Sequence, residues 1–398
     1  MHILLLNEYF PPDTSATAKC AAQVADALTE KHRVTVLAGR PSYDPTERHP
    51  PYLLRREVRG NLAVERVGST AYPRFEMRRR VSNYLTYLSL AVPRALSIRS
   101  DVILAMTDPP IEGIAGAFVA QLSGRPFVYN IRDMYPDMAV GGSIVGPGSF
   151  TARWEKLHRW ALRQATRVIV LGEDMRDRIV AKGVDSARVV ISRDGITVPE
   201  TLPPPENPVA QEIRGDFRFA LVHAGNLGFY GAWQTLISAV RMLENDGVGL
   251  VFVGEGAMKS QIEAMAAGCR AVRFLPFRPV SEIPLVLSSG DMHVVTVKRG
   301  LEGVVVPSKL YPTLAAGRAV LGIAPEESDV ARIIRRSGCC VVGNPDDPNS
   351  VAEAVRGVLH DREQLRTMAL HAREIANSYD RVKQLKIFTQ TIEEVVRE

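Results

Sequence analysis

Residues 198–216 read VPETLPPPENPVAQEIRGD. Five prolines fall within the eleven residues 198–208. Proline fixes φ and has no amide proton, so neither a helix interior nor a central strand runs through such a stretch. On both sides of it the chain keeps one rhythm, with short apolar runs alternating with longer amphipathic ones. Before it, strands are expected at 3–6, 34–38, 62–67, 102–106, 127–131, 168–171 and 189–191; after it, at 219–223, 249–253, 271–275, 292–297, 319–323 and 340–342. Continuous apolar strands separated by helices indicate a parallel sheet covered on both faces. The proline run is therefore read as a linker between two α/β domains, each Rossmann-like.

The 398 residues exceed one comfortable hydrophobic core, which agrees with two domains. The first apolar run, Ile3 to Leu6, is too short for a signal peptide or a membrane span, and no later run reaches eighteen residues, so a cytoplasmic protein is expected. Cys20, Cys269, Cys339 and Cys340 form no CxxC pair; their spacing suits neither zinc nor a disulfide framework, and they read as small buried side chains. The formal charge of +5 is uneven: residues 1–200 carry a net +6 and the remainder −1. This asymmetry concerns partners of the first half. No nucleic-acid motif accompanies it, and nucleic acid is not expected as a partner.

A dinucleotide fingerprint is missing. The first strand leads into Asn7-Glu8-Tyr9-Phe10-Pro11-Pro12 without glycine, and Gly254-Glu255-Gly256 lacks the third glycine. Other loops at strand ends carry the chemistry. Residues 11–18 (PPDTSATA), with Thr14 and Ser15, offer small side chains that let backbone amides approach a ligand; Ser and Thr here also suit a helix N-cap. Gly225-Asn226-Leu227-Gly228 follows the first strand of the second half, and its glycines suit a tight turn with amides facing a phosphate. Gly254 and Glu255 follow the next strand, Glu255 as a candidate nucleoside contact. The densest signal is VKRGLEGVVVPSKLY, residues 297–311: a strand end, a basic glycine-bearing loop, then a helix expected over 308–316. Proline suits a first turn, whereas lysine opposes the dipole there, so Ser308 and Lys309 make sense beside an anion. In the first half, Arg132, Asp133 and Asp137 follow a strand, where a carboxylate could orient an acceptor hydroxyl or take its proton.

Taken together, FPP near the start, RDMYPD, AGNLG, VGEG and VPSKLYPTLAAGRAV resemble the family-4 glycosyltransferases, in particular the colanic-acid and O-antigen enzymes of bacterial surface-polysaccharide assembly. The resemblance runs nearly end to end. It implies a GT-B fold, with two Rossmann-like domains facing each other across a cleft: 1–200 with 380–398 for the acceptor, and 201–379 for the donor. It implies retaining transfer from a nucleotide-diphosphate sugar, usually UDP-linked, to a polyprenyl-diphosphate-linked or saccharide acceptor, with no metal and no cofactor. Donor contacts are then expected from Gly225, Asn226, Gly228, Gly254, Glu255, Lys298, Arg299, Glu302, Ser308 and Lys309, centred on Glu302 to Gly317, and a polar role at the acceptor from Asp133. The chain departs from the family where an Arg and a Lys usually hold the diphosphate, positions that resemble Asn226 and Tyr230 here. The usual glutamate pair maps near Val304 and onto Pro312, with Glu302 the acidic residue close by. These departures keep two other readings open: a nucleotide-sugar epimerase of the same fold, and a non-catalytic partner of a glycosyltransferase.

Arg74, Arg78, Arg79 and Arg80 precede Val81, Tyr84, Leu85, Tyr87 and Leu88 at mostly helical spacing. A basic turn beside an apolar stripe can lie on an anionic membrane, and it equally suits a helix facing the core. A peripheral position on the inner face of the plasma membrane is the expectation that follows from the first.

Overall fold

The structure is a computed structural model that describes residues 1–42, 50–72, 77–204 and 206–397, without the side chains of Met77 and Arg78. It divides into two compact units, Met1–Arg193 with Gln384–Glu398, and Asp194–Lys383.

The first unit holds β1 (His2–Leu6), β2 (Arg33–Ala38), β3 (Leu54–Arg59), β4 (Leu62–Val67), β5 (Val102–Ala105), β6 (Phe127–Asn130), β7 (Arg167–Val170) and β8 (Val189–Ile191). Their order in the sheet is β3-β4-β2-β1-β5-β6-β7-β8. All neighbours run parallel except β3 with β4. The second unit holds β9 (Phe219–Ala224), β10 (Val248–Val253), β11 (Val272–Leu275), β12 (Met292–Thr296), β13 (Ala319–Ile323) and β14 (Cys340–Gly343). Their order is β11-β10-β9-β12-β13-β14, all parallel. Strands buried along their length, such as Ile3-Leu4-Leu5-Leu6 and 248–253, need cover on both faces, which parallel crossovers through helices provide.

The sequence reading lacked β3. Its LRREVR carries three arginines and is mostly exposed, so it shows neither an apolar run nor alternation. An antiparallel edge strand needs neither, and charge protects it from pairing with another chain.

The chain crosses between the units twice, and the two crossings pair with each other. Ile196 N–H donates to the Tyr379 carbonyl (2.9 Å), and Arg381 N–H donates to the Ile196 carbonyl (3.1 Å). The first unit ends at Arg193, ahead of the proline run, and takes up the chain again at Gln384. The final helix, Arg381–Arg397, packs Phe388, Ile392 and Val395 against Ile3, Leu5, Val34 and Val36 of the first unit.

In both sheets the strand order reverses beside the first strand, between β1 and β5 and between β9 and β12. Loops leaving the carboxyl ends diverge there and leave a crevice, the usual ligand position in such folds. In the first unit the two diverging loops are tied by Glu8 N–H donating to the Asp108 carbonyl (2.7 Å).

The helix Glu112–Ser123 closes this end of the first sheet. A Cβ on Gly113 would sit 2.0 Å from Cζ of the buried Tyr129, so the helix reaches the sheet only through glycine. Glu112 is buried too; its Oε1 accepts from the Tyr87 hydroxyl at 3.0 Å. Burial raises its pKa well above 4.5, the Tyr87 bond opposes this, and Asp108 adds to it. Gly113→Ala should cost about 1–3 kcal/mol through overpacking, read as a lower urea midpoint. Glu112 keeps its proton in the fold and loses it on unfolding, so its contribution falls as pH rises above about 4.5. Glu112→Gln, which retains the acceptor, should therefore match wild type near pH 4 and melt a few degrees higher at pH 8. A melting difference that stays constant with pH would refute a protonated Glu112.

Candidate active site

In the second unit, the loops after β9, β10 and β12 pack on one another through backbone. Gly225 N–H donates to Val253 (2.8 Å), Leu227 N–H to Glu255 (2.8 Å), and Met258 N–H to Leu227 (3.0 Å). A Cβ on Gly254 would lie 2.1 Å from the Gly225 carbonyl oxygen, and one on Gly256 2.3 Å from that of Leu227. Both glycines are demanded by this close approach. Trp233 braces the loop by donating from Nε1 to the Gly228 carbonyl (2.7 Å).

Lys309 lies across this floor. A Cβ on Gly225 would meet its Cε at 2.6 Å, and Gly225 has φ of 126°, so glycine serves both space and backbone here. Lys309 Nζ donates to the Tyr230 hydroxyl (2.7 Å), approaches the Asn226 carbonyl (3.4 Å) and stands 5.1 Å from the Tyr230 ring centre. The Tyr230 hydroxyl in turn donates to the Asn226 carbonyl. Burial pushes the lysine pKa down to about 8 and the Tyr230 pKa up to about 12. His223, behind the loop, is held neutral: burial, then the Lys309 charge, lower its pKa to about 3. The site thus presents a partly desolvated ammonium with neutral partners, ready for an anion.

Beside Lys309 is a cavity of about 170 Å³. Phe277, Ile283, Val286, Leu287 and Pro312 give it apolar walls, and Arg278 also lines it. A flat apolar group fits such a slot, with its charged end on Lys309. Phe277 and Arg278 were not found from sequence. They follow β11 in the stretch Leu275 to Pro279, which has no glycine or charge pattern to mark it.

Other residues of the 297–311 segment go elsewhere. The helix spans only Leu310–Ala315, not 308–316; Lys309 is its N-cap and Ser308 is exposed. The proline at 312 sits in the first turn, where its missing amide costs no hydrogen bond. Six residues carry little dipole, so the ammonium rather than the helix end supplies positive charge. Arg299 turns away and donates to Asp346 (2.5 Å), while Glu302 accepts from the Gly300 amide (2.7 Å) and closes its own loop. Lys298 is fixed through its backbone, donating to the Tyr230 carbonyl (2.8 Å). Glu255 accepts from Lys259 (2.6 Å), one helical turn on. Asn226 contributes its carbonyl to Lys309 and Tyr230.

In the first unit, Ser15 caps the helix Ala16–Thr29: its hydroxyl accepts from the Ala18 amide (3.0 Å). Thr14 is exposed. Asp137 accepts from Lys182 (2.8 Å), which also donates to Glu155 (2.8 Å), so this carboxylate lies in a structural ion network. Asp133 and Arg132 are half-buried. At the switch itself stand two residues that sequence did not single out for chemistry. Glu8 is fully buried and its Oε2 has no hydrogen-bond partner; burial first, then Asp108 and Glu112, raise its pKa well above the carboxylate range. Arg80 turns inward beside Tyr84 (5.3 Å), whereas Arg79 stays exposed over Tyr72 (5.5 Å). Burial opposes the Arg80 charge, but Tyr84, Tyr9 and Asp108 outweigh it and raise its pKa. Asp133 and Asp108 both act on Tyr135, whose pKa is raised chiefly by burial. Arg74 and the Arg78 side chain lie outside the described residues.

Comparisons with known proteins agree with these two sheets. Residues 15–195 match the glycosyl transferase 4-like domain and 218–361 the glycosyl transferases group 1, together most of the chain. The chain is 24% identical over 296 residues to a probable glycosyltransferase, WbjE of Pseudomonas aeruginosa, covering 71% of this chain and 74% of that one. It is 25% identical over 252 residues to a putative colanic acid biosynthesis glycosyl transferase, WcaI of Escherichia coli, covering 61% and 62%. Among solved structures, Anabaena HepE in complex with UDP and glucose superposes with a TM-score of 0.68 at 16% identity, over 98% of this chain and 99% of that chain. WaaG, a glycosyltransferase of lipopolysaccharide biosynthesis, gives 0.65 at 15% identity over 98% of both. With both domain models matched in order on two Rossmann-like sheets, this chain belongs to the family-4 glycosyltransferases of GT-B fold.

Proposed function

We propose that the enzyme transfers a sugar, with retention, from a UDP-sugar to a saccharide or polyprenyl-diphosphate-linked acceptor in surface-polysaccharide biosynthesis. The carrying observation is Lys309, laid on the Gly225 backbone at the switch of the second sheet beside an apolar slot. In this reading the nucleoside enters the slot and the diphosphate meets Lys309 and the loop amides. The departing diphosphate gains charge as the glycosidic bond breaks, and a fixed ammonium stabilises it more than the ground state. No metal is needed for that step. The names of WbjE, WcaI and WaaG support the polysaccharide setting, and the HepE complexes, one with UDP-glucose, support the donor class. Asp133 remains the proposed polar contact to the acceptor hydroxyl. An epimerase would turn over UDP-sugar without acceptor, and a non-catalytic partner would transfer nothing; neither has an observation in its favour.

Lys309 gives this reading a pH signature. Its free-state pKa near 8 means that the ammonium is lost as pH rises through that value. If the diphosphate binds only the charged form, UDP affinity should fall about tenfold between pH 7 and pH 9. At pH 8, binding should take up protons, visible by calorimetry in buffers of different ionisation enthalpy. Lys309→Met should bind UDP weakly at every pH, with no proton uptake. An unchanged affinity in that variant would remove Lys309 from the site.

The acceptor's lipid carrier is proposed from the outer face of the first unit. No helix among the described residues is long and apolar enough to cross a membrane. The helices Met77–Ser97, Glu112–Ser123 and Ser149–Gln164 pack side by side and expose Val81, Leu85, Phe118, Leu122, Phe150 and Leu157. Arg79, Arg153, Lys156 and Arg163 are exposed with them. Their only carboxylates are Glu112, which is buried, and Glu155, which is engaged by Lys182. An apolar face flanked by exposed cations suits an anionic lipid surface. Leu85→Glu with Phe150→Glu should abolish co-sedimentation with phosphatidylglycerol vesicles and leave UDP binding intact. Equal sedimentation of variant and wild type would refute the membrane face.

A further inference from the structure

A cavity of about 690 Å³ lies at the opposite end of the second sheet from Lys309. It opens at the amino ends of β12 and β13: Gly290 and Asp291 precede β12, and Arg318 precedes β13. Arg214 reaches it from the helix Pro208–Arg214, and Arg362 and Arg366 from the first turns of the helix Arg362–Ala376. Against four guanidiniums the lining sets two carboxylates, Asp291 and Glu206.

The balance of contacts leaves positive charge over. Asp291 is nearly fully used: Oδ1 accepts from Arg362 (2.6 Å), and Oδ2 accepts from the Ala220 amide (2.8 Å) with Arg214 at 2.9 Å. These bonds hold its pKa below the usual value despite burial, so it stays an anion and cannot take a fourth partner well. Arg318 is half-buried and has no carboxylate within 4.0 Å among the described residues. Its Nε is buried without a hydrogen-bond partner. Burial lowers its pKa; Asp291 counters this and Arg214 adds to it. Among the described residues, the carboxylate that Arg366 meets is Glu363 of its own helix, at 3.7 Å. A guanidinium held out of water without an anion is costly, and its planar fork matches the oxygens of a phosphate. Two arginines in the first turns of one helix also oppose its dipole unless an anion joins them.

We propose that this cavity is a second anion site, distinct from the donor loops, which binds a phosphate group through Arg318 and Arg366 with Arg362 and Arg214 behind them. Its volume exceeds that of phosphate alone, so the natural ligand is a phosphate ester, whether a soluble metabolite or a lipid headgroup. It occupies the end of the sheet that the donor does not use. The site therefore stands whether or not Lys309 binds UDP.

The test is calorimetric titration of inorganic phosphate and pyrophosphate into the full-length wild type, Arg318→Gln, Arg366→Gln and Lys309→Met. Losing one charge-assisted contact weakens binding about tenfold or more. Arg318→Gln and Arg366→Gln should each show that loss, while Lys309→Met retains a saturable event of wild-type affinity. Arg366 is exposed on its helix, so its variant keeps the test valid if Arg318→Gln misfolds. Sedimentation with phosphatidylglycerol vesicles, in a Leu85→Glu and Phe150→Glu background, separates the sources. Binding that depends on Arg318 or Arg366 assigns the phosphate to a headgroup, and its absence beside tight soluble binding assigns a metabolite. The proposal is overturned if wild type shows no saturable phosphate binding in the millimolar range, or if the binding it shows is lost in Lys309→Met and untouched in both arginine variants.

Discussion

The contact between the Lys309 side chain and the bare backbone of Gly225 is the constraint on which the candidate site of the second unit depends. A methyl group at residue 225 would occupy the space of Lys309 Cε. Gly225 can stand there because Gly254 lets the neighbouring loop close under it, again without room for a Cβ. The layers then follow in order: a glycine directly follows β10, its loop supports the loop after β9, and that loop carries a lysine from beyond β12. Reversal of strand order at β9 and β12 brings these three loops to one place. The ammonium ends over Tyr230 and the Asn226 carbonyl, neutral acceptors that position it without cancelling its charge.

The same economy of charge runs through the molecule. Most charged side chains are either paired or in water, as burial requires. Four buried or half-buried charged groups among the described residues stand at sheet ends. Lys309 and Arg318 occupy opposite ends of the second sheet, and Glu8 and Glu112 sit at the carboxyl end of the first. Each is disfavoured where it stands and persists because the surrounding packing over-determines it. Groups held in this way are poised to respond when a ligand or a proton restores the balance. The carboxylates meet the difficulty by keeping a proton. Arginine has no such way out near neutral pH, and this is the physical basis for placing an anion beside Arg318.

Much of the fold was legible from the residues. The proline run and the renewed alternation after it gave two parallel α/β domains, because a strand buried on both faces must be apolar along its length. What escaped was an element without that signature. The arginine-rich β3 pairs by backbone at a sheet edge, and its side chains record only solvent. Within the candidate site, Lys309 drew attention in the sequence because a lysine at the start of a helix opposes the dipole and needs a reason. The directions of Arg299, Glu302 and Glu255 had no such signal; their side chains turn to Asp346, Gly300 and Lys259. Charge in a glycine-rich loop looks alike in sequence whether it faces a ligand or its own neighbours.

The sequence by itself determined the two α/β domains, the parallel sheets and the family, all of which rest on local periodicity and on motifs read in order along the chain. Only the tertiary structure decided which residues share a site. Gly225, Tyr230, Phe277 and Lys309 come from three different strand-end loops, and Arg214, Asp291, Arg318 and Arg366 from four separate segments. Their meeting depends on strand order and on the absence of a few β-carbons. Neither leaves a periodic trace, because both are properties of contacts between residues far apart in the chain.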